Sequence, residues 1–236
     1  MDKVAAIVPA AGYGNRMRLN IKKQYLLLNG IPVVGHVLKV FEDSPAVHSV
    51  VLVVGPGEVE YCRSAIVEHL SLSKVMAIVT GGNERQESVF NGLLALSPGT
   101  GIVVVHDGAR PLLSQERLAE VVETARVHGA ATLAVPVKDT VKLAGEGNFV
   151  AETLPRDRLW LTQTPQAFRY ELLLDAHRRA RETKFIGTDD AALVEQIGLP
   201  VKLVAGSYEN LKITTPEDLI IVSAMLQAQK KSNLGG

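Results

Sequence analysis

Short runs of apolar, mostly β-branched residues recur along the chain, and they are nearly continuous rather than alternating with polar residues. Six such runs are evident, at residues 4–10, 49–55, 75–82, 101–108, 131–137 and 201–206. Strands of a parallel sheet that is covered by helices on both faces show this pattern, because neither face meets water. The runs therefore predict a mostly parallel β-sheet.

Segments between these runs have the periodicity of amphipathic helices. The clearest covers residues 114–129, where Ser114 is a suitable N-cap and Gly129 a suitable terminator. The last helix is predicted to begin at Pro216, with Thr215 as its N-cap. Alternating strands and helices predict an α/β fold, in which helices flank the sheet.

Residues 136–160 interrupt the alternation. They have the pattern of two strands around the turn Gly145–Asn148, with too few apolar residues to fold independently. Such a hairpin needs another surface to pack on, so we expect an arm that reaches over a neighbouring subunit. The chain is accordingly predicted to form a single domain, residues 1–236, with an arm at about 136–160.

The charge of the chain is balanced overall but unevenly distributed. The 236 residues include 25 basic and 25 acidic side chains, so we expect no nucleic-acid partner, since such partners usually require a basic surface. Residues 1–41 nevertheless hold six basic residues against one acidic residue. This local excess favours a small anionic ligand.

The single cysteine, Cys62, can form no intrachain disulfide and no thiolate metal cluster, which suits a reducing compartment. The sequence shows no basic-then-apolar leader, and no apolar run approaches the roughly 18 to 20 residues that span a bilayer. We therefore expect a cytoplasmic protein without a membrane partner.

The loop after the first predicted strand, residues 10–24, has the residue types of a phosphate site. It begins with small residues that leave backbone N–H groups accessible, and it carries Arg16 and Lys23. Arginine can bind phosphate bidentately, and lysine binds it as a point charge. The glycine spacing matches neither the dinucleotide fingerprint nor the P-loop. The loop therefore predicts a phosphate site of a third type; a tight turn with solvated cations is the alternative.

Asp107 follows the fourth predicted strand, in the sequence HDGARP. Magnesium prefers one or two carboxylates together with substrate phosphates, so Asp107 is a candidate ligand for Mg²⁺. The alternative is structural: Asp107 caps the turn and pairs with Arg110.

Three further segments give weaker signals. Residues 81–88 offer backbone and side-chain groups to a nucleotide, although Gly-Gly-Asn is also ordinary turn sequence. Thr188 is predicted to cap a helix with the two aspartates 189–190 in its first turn, an arrangement that suits the helix dipole without any ligand. Lys212, before the last helix, is either a phosphate ligand or a solvated surface residue.

Seven parts of the sequence, taken together and in order, resemble the 2-C-methyl-D-erythritol 4-phosphate cytidylyltransferase family. They are VPAAGYGNRM with KKQYLLLNGIPV, then GGNERQESVFNGL, VHDGARPLL, VPVKDTVK, TQTPQAF, TDDAALVE and NLKITTPEDL. The match extends from about Val4 to Leu219 with the spacing intact. Seven collinear motifs are far more specific than any single one.

The resemblance implies a Rossmann-like nucleotidyltransferase fold whose protruding β-hairpin arm is exchanged across a homodimer. It implies transfer of CMP from CTP to 2-C-methyl-D-erythritol 4-phosphate, giving 4-diphosphocytidyl-2-C-methyl-D-erythritol and pyrophosphate without a covalent intermediate. It also implies Mg²⁺ as cofactor, for which other divalent cations can substitute.

The resemblance also assigns roles to individual residues. Arg16 and Lys23 correspond to a catalytic pair that stabilises the reacting α-phosphate, and Asp107 corresponds to the metal-binding aspartate. The positions assigned to the nucleotide are Ala10, Ala11, Gly12, Gly82, Asn83 and Ser88, which Gly14 joins as the second glycine of the first loop. The positions assigned to the acceptor are Thr140 and Arg156 on the arm of the partner subunit, with Thr188 and Lys212 of the same subunit.

Four positions depart from the family pattern, one of them Gly108, which replaces a frequent alanine with little consequence expected. Lys22 stands where proline is usual, so the catalytic lysine is identified by the Gln24 that follows Lys23. Asn83 and Glu209 each stand where many members have aspartate. Two alternatives remain open at this stage: a ribitol 5-phosphate cytidylyltransferase, which is similar in its nucleotide half, and a catalytically silent nucleotide-binding regulator.

Overall fold

The structure is a computed structural model that describes residues 2–12 and 22–234, with side chains up to residue 229. Gly14 and Arg16 lie outside the described residues, so their roles stay predictions. Within the described part of the chain, no helix combines the length and the apolar character that a membrane span requires.

A seven-stranded sheet organises the molecule. The strands of the described chain are β1 (Lys3–Pro9), β2 (Leu27–Leu28), β3 (Ile31–Pro32), β4 (Ser49–Val54), β5 (Val75–Thr80), β6 (Thr100–Val105), β7 (Ala130–Pro136), β8 (Val141–Ala144), β9 (Val150–Leu154), β10 (Trp160–Arg169) and β11 (Lys202–Ala205). The large sheet has the order β11, β7, β10, β6, β1, β4, β5. Its neighbours are parallel except β10, which runs antiparallel to both β6 and β7. The predicted mostly parallel sheet is confirmed, and the six apolar runs are six of its strands.

Strand β10 is the part of the sheet that apolar patterning does not reveal. Its sequence, WLTQTPQAFR, mixes polar residues and a proline with apolar ones. Three of the polar side chains, Gln163, Thr164 and Gln166, are nevertheless buried, because each has hydrogen-bond partners inside the protein. The pairing of β10 with β7 also shifts between Thr162 and Gln166.

Helices cover both faces of the sheet. Those of the described chain are α1 (Val33–Glu42), α2 (Val59–Cys62), α3 (Arg85–Leu94), α4 (Gln115–His128), α5 (Tyr170–Thr183), α6 (Asp190–Gln196) and α7 (Pro216–Leu234). Successive residues of β1 belong to different cores: Val8 packs with Phe41 of α1, and Ile7 packs with Phe90 of α3. Burial on both faces explains why the strand sequences are continuously apolar.

The predicted N-caps of two helices, α4 and α7, are confirmed, and the predicted N-cap of a third helix, α6, is corrected. The Ser114 side chain accepts a hydrogen bond at the start of α4, and Gly129 ends the helix with φ 89°. Thr215 accepts from the backbone N–H of Asp218 at the start of α7. At α6 the cap is Asp189 rather than Thr188, because the Asp189 carboxylate accepts from the N–H of the third residue beyond it. Aspartate caps helices as well as threonine does, so sequence alone does not distinguish the two.

The predicted hairpin is also confirmed. Strands β8 and β9 form a two-stranded antiparallel sheet of their own. Its apolar side chains face outward in this chain: Leu143 is 51% exposed, Phe149 79% and Val150 60%. An isolated two-stranded sheet of this kind lacks a buried apolar face, which is consistent with an arm that packs on another surface.

Candidate functional site

Two adjoining cavities lie beyond the carboxyl ends of the parallel strands. The first has a volume of about 370 Å³ and is bounded by residues 9–12 after β1, 82–85 after β5 and 107–109 after β6. The second, of about 290 Å³, shares Arg85, Asp107 and Lys212 with the first. Ligands of open α/β sheets bind at this edge, so the fold brings the predicted loops to the expected place.

Most of the described residues predicted from the sequence meet in these cavities. Those that line the first are Ala10, Ala11, Gly12, Lys23, Gly82, Asn83, Ser88, Asp107 and Lys212. Thr188 lines the second cavity. Thr140 and Arg156 lie on the exposed base of the arm, outside the lining of both cavities of their own chain. Arg156 donates from Nη1 to the carbonyl of Lys138 at the base of the same arm.

The described start of the first loop, residues 10–12, is held in place by Gln24, whose role in the sequence was only to identify Lys23. Gln24 is 2% exposed and lies in the short 3₁₀ turn Lys23–Tyr25. Its Nε2 donates to the carbonyl oxygens of Ala10 at 2.6 Å and Gly12 at 3.1 Å. Because both carbonyls are fixed by one buried amide, the backbone that lines the cavity has a defined orientation.

The two adjacent lysines, Lys22 and Lys23, have different surroundings. The Nζ of Lys23 donates to the carbonyl of Ile213 at 2.9 Å, and its side chain lines the first cavity. The Nζ of Lys22 pairs with Glu58 at 2.7 Å, and Lys22 is absent from the cavity lining. This geometry favours Lys23 as the lysine that meets a phosphate.

The second loop brings glycine backbone to the cavity. A Cβ at Gly82 would approach the Glu87 side chain to 2.4 Å, so a larger residue does not fit there without rearrangement. The N–H of Gly82 donates to Ser88 Oγ, and the N–H of Asn83 donates to Glu87 Oε2. The loop is therefore shaped by the first turn of α3.

Asp107 lies at the junction of the two cavities and is surrounded by cationic groups. Its Oδ1 accepts from Arg85 Nε at 3.1 Å, and its Oδ2 lies 2.7 Å from Lys212 Nζ and 3.7 Å from Arg110 Nε. Burial opposes ionisation, but Arg85 and Lys212 outweigh it and hold the pKa of the Asp107 carboxyl well below its usual range. Asp107 is therefore ionised at any physiological pH. The predicted pairing with Arg110 is present, but it is the longest of the three.

The donor set at Asp107 suits a metal ion that is bound mainly by a substrate. Among the described residues, no group of three or more His, Cys, Asp or Glu side chains could hold a metal. A carboxylate has about four lone-pair sites, so Asp107 can accept a further ligand beside its ion pairs. Magnesium bound through one carboxylate and substrate phosphates fits this arrangement.

Arg85 and Asp190 are two residues at this site that sequence analysis did not single out. Arg85 lines both cavities and bridges the carboxylates of Asp107 and Asp190. The signal that could have identified Arg85 was the presence of an arginine in the GGNERQES segment, which follows a parallel strand. Asp190 lies in the first turn of α6, as predicted, but its carboxylate is also 1% exposed and paired with Arg85, which the helix dipole alone does not explain.

A glycine-lined cavity beside a smaller polar one, with cations between them, suits a nucleotide and an anionic acceptor held side by side. The fold and this site define a nucleotidyltransferase. The family model for 2-C-methyl-D-erythritol 4-phosphate cytidylyltransferase (IspD) matches residues 4–228. The chain therefore belongs to the 2-C-methyl-D-erythritol 4-phosphate cytidylyltransferase family and is a cytidylyltransferase enzyme.

Individual relatives support this membership. The 2-C-methyl-D-erythritol 4-phosphate cytidylyltransferase of Pelotomaculum thermopropionicum is 64% identical over 98% of this chain and 97% of its own length. That of Desulforamulus reducens is 50% identical, with 96% and 97% covered. The solved structure of the Anaerococcus prevotii synthase of 4-diphosphocytidyl-2C-methyl-D-erythritol has a TM-score of 0.85 at 32% identity, covering 96% of each chain. The Thermus thermophilus cytidylyltransferase has a TM-score of 0.78 at 34% identity, with 95% and 99% covered. The ribitol 5-phosphate alternative is not favoured by these relatives.

Proposed function

We propose that this protein transfers CMP from CTP to 2-C-methyl-D-erythritol 4-phosphate by direct displacement. A phosphate oxygen of the acceptor forms the new bond to the α-phosphorus of CTP. The bond from that phosphorus to the bridging oxygen breaks, and its electron pair leaves with pyrophosphate. The observation that carries the proposal is the junction of the two cavities at Asp107 and Lys212, where the two substrates would meet.

The reaction needs charge stabilisation more than proton transfer. A phosphate monoester dianion is already a nucleophile at neutral pH, so no general base is required. The difficulty lies in bringing anions together, and cations directed at the α-phosphate reduce it. We assign this role to Lys23, together with Arg16, which the family resemblance places in the same loop. A P-loop lysine instead serves the β- and γ-phosphates, which explains why the first loop follows a different pattern.

Asp107 would hold Mg²⁺, or another divalent cation, together with the phosphates of CTP. The ion would neutralise phosphate charge and stabilise the leaving pyrophosphate. Arg85 and Lys212 keep the Asp107 carboxylate ionised and in place for this task.

The nucleotide would occupy the first cavity. Its cytosine and ribose are assigned to the backbone and small side chains of residues 10–12 and 82–83, with Ser88 as a further hydrogen-bonding group. An amide at Asn83 can accept from the cytosine amino group through its carbonyl, as an aspartate would. Gly14 is assigned to the same site on the loop pattern.

The acceptor would occupy the second cavity, bound by Thr188 and Lys212 of one subunit and by Thr140 and Arg156 of the partner subunit's arm. The exposed apolar side chains of the arm support a homodimer, because an apolar surface of this kind is otherwise left in water. We further propose that the enzyme acts in the cytoplasm without a nucleic-acid or membrane partner, consistent with its free Cys62 and balanced charge.

The acceptor is tested by a pyrophosphate-release assay with CTP and Mg²⁺, in which 2-C-methyl-D-erythritol 4-phosphate and ribitol 5-phosphate are supplied separately. We expect release with the methylerythritol phosphate and a product containing both CMP and the acceptor. Preferential release with ribitol 5-phosphate would overturn the acceptor assignment. CTP binding without release from either acceptor would instead indicate a silent regulator.

A further inference from the structure

A row of ionisable side chains extends from α5 to the junction of the two cavities. His177 Nε2 lies 3.2 Å from Asp190 Oδ1, and both side chains are almost fully buried, at 0% and 1% exposed. Asp190 Oδ2 accepts from Arg85 Nη1 at 2.7 Å. Arg85 Nε in turn donates to Asp107 Oδ1 at 3.1 Å. Among the described residues, the Asp190 carboxylate is thus connected to Asp107 through the guanidinium of Arg85.

The backbone at Asp190 is fixed from the centre of the sheet. Gln166 of β10 is 0% exposed, and its Oε1 accepts from the backbone N–H groups of Asp190 and Ala191, each at 3.1 Å. The same side chain donates from Nε2 to Thr132 of β7 and to Asp189. The Asp190 carboxylate therefore has little freedom to follow a moving partner, and Arg85 must adapt to it.

The helix dipole by itself does not account for Asp190. An acid in the first turn gains from the dipole, but this gain is small beside the cost of a fully buried charge. A buried carboxylate loses its hydration and is tolerated only when it is paired and hydrogen-bonded. Burial opposes ionisation of Asp190, but Arg85 and His177 outweigh it and lower the pKa of its carboxyl. Burying the Asp190 carboxylate costs free energy, and the ion pair with Arg85 offsets this cost.

The geometry of Arg85 shows what this pairing does at Asp107. A guanidinium tends to bind a carboxylate with two parallel N–H groups. Here Asp190 accepts from Nη1, Asp107 accepts a single hydrogen bond from Nε, and the other oxygen of Asp107 faces Lys212. We propose that Asp190 is a positioning residue of the transferase: through Arg85 it sets the orientation of the Asp107 carboxylate between nucleotide and acceptor.

This inference rests on the proposed CMP transfer, and it adds the claim that Asp190 affects the reaction step and not the binding of CTP. When the charge at position 190 is lost, Asp107 becomes the remaining carboxylate partner of Arg85 among those it contacts here. The guanidinium is then drawn toward Asp107 and turns its carboxylate away from the reacting phosphates. No hydrogen bond or ion pair joins Asp190 to residues 10–12 or 82–83, the described residues that are assigned to cytosine and ribose. The effect therefore belongs to the reaction step rather than to nucleotide binding.

The test compares Asp190→Asn with Glu116→Gln in the full-length enzyme. Both changes remove an acid from the first turn of a helix, but Glu116 lies on α4, away from both cavities. We expect Asp190→Asn to lower kcat roughly 10- to 100-fold, as small misplacements in active sites do. We expect the KM for CTP, and the CTP affinity measured by calorimetry without Mg²⁺, to stay near wild-type values. Glu116→Gln should leave all three quantities near wild type.

Two outcomes would overturn the inference: kcat of Asp190→Asn close to that of the wild type, or a loss of kcat matched by an equal loss of CTP affinity. If Asp190→Asn does not fold, Arg85→Lys decides, because an ammonium cannot offer Nε and Nη1 to two carboxylates at once. We expect the same pattern for Arg85→Lys. Where Asp190→Asn folds, the double variant should lose no more kcat than either single variant; independent, multiplying losses would be a third outcome that overturns the inference. Inactivity of the wild-type enzyme with both acceptors would refute the proposed function, whereas failure of the inference leaves the wild type active.

Discussion

At the scale of single residues, Lys22 and Lys23 show how adjacent positions of the same type separate in function. Replacing Lys23 by Met removes an ammonium from the nucleotide cavity, and we expect kcat to fall about 100-fold or more, as for other groups that stabilise a transition state. Lys22→Met removes the same charge and instead breaks an ion pair with Glu58 outside the cavity.

Steady-state pyrophosphate release by the two variants checks this expectation. Lys22→Met is the matched control and should remain close to the wild-type kcat. A larger loss in Lys22→Met than in Lys23→Met would show that the assignment of the lysine is wrong by one position.

A second prediction for a single residue concerns Gln24, because its side chain donates to two carbonyls, those of Ala10 and Gly12. Gln24→Met leaves the buried carbonyl of Ala10 without this partner, at a cost of about 1–3 kcal/mol. We expect the KM for CTP to rise about tenfold as residues 10–12 lose their fixed orientation.

Gln86→Met is the control for this change, because Gln86 also bonds to backbone groups, those of Phe185 and Gly187, away from the nucleotide cavity. Thermal unfolding should show that both variants lose stability, and only Gln24→Met should raise the KM for CTP. An equal rise in both would mean that general loosening of the fold explains the effect.

Residue types in the strand-end loops predicted much of the lining of the two cavities. Asp107, Lys23 and Lys212 were singled out because carboxylates and cations after parallel strands point to phosphate and metal. Asp190 was not, since an aspartate in the first turn of a helix has a sufficient local explanation. Its burial depends on β10 and on Arg85, which are remote in sequence, so no local pattern reveals it.

At the scale of elements, a row of hydrogen bonds joins the segment after β6 to β10, and it requires that His106 is neutral. The backbone N–H of Asp107 donates to Thr164 Oγ1. The Thr164 hydroxyl can then donate to His106 Nδ1, which leaves Nε2–H to donate to the carbonyl of Arg110. Burial, the largest cause, lowers the pKa of His106 to about 4.

This row of bonds predicts how stability depends on pH. Between the ordinary histidine pKa of about 6.5 and the folded value, the unfolded chain binds a proton that the folded chain does not. Folding stability should therefore fall as pH falls through this window, and the contribution of His106 to the slope should end below it.

Urea unfolding at a series of pH values measures the effect. The change His106→Asn, which places a neutral side chain there at every pH, should make the slope shallower between pH 6.5 and 4. His128→Asn, at an exposed position, is the control. An unchanged slope in His106→Asn would contradict the prediction.

The sequence predicted elements well where burial on both sides makes a strand uniformly apolar. It failed at β10, because the polar side chains of that strand are buried through bonds to remote partners rather than through apolar contact. The hairpin was recognisable because its two strands lack an apolar face within their own chain. The division of the chain into one domain and an arm stays a prediction.

At the scale of the whole molecule, the proposed site draws residues from two subunits. Arg156→Ala and Lys23→Met should each be inactive alone, because every site then lacks one of its groups. When the two variant chains are mixed at random, half of the dimers contain one of each, and each of those has one intact site. We expect recovery of about a quarter of wild-type activity.

Co-expression of the two chains with different affinity tags checks this expectation: the unfractionated mixture should have about a quarter of wild-type activity, and the mixed dimer isolated through both tags about half. A mixture of Lys23→Met with the double variant Lys23→Met, Arg156→Ala has no intact site and is the control. If the first mixture is no more active than that control, then Arg156 serves its own subunit or serves no site.

Strand β10 leads from the base of the arm directly into the centre of the sheet, and this continuity limits how the chain can change in length. Ala167 packs in the core on one face of the sheet and Phe168 in the core on the other. One residue inserted between the arm and this strand would exchange the two faces and separate Gln166 from the start of α6. The turn at the far end of the hairpin carries no such restriction. Insertions and deletions in this family should therefore accumulate at the tip of the arm, while the length of its base is kept constant.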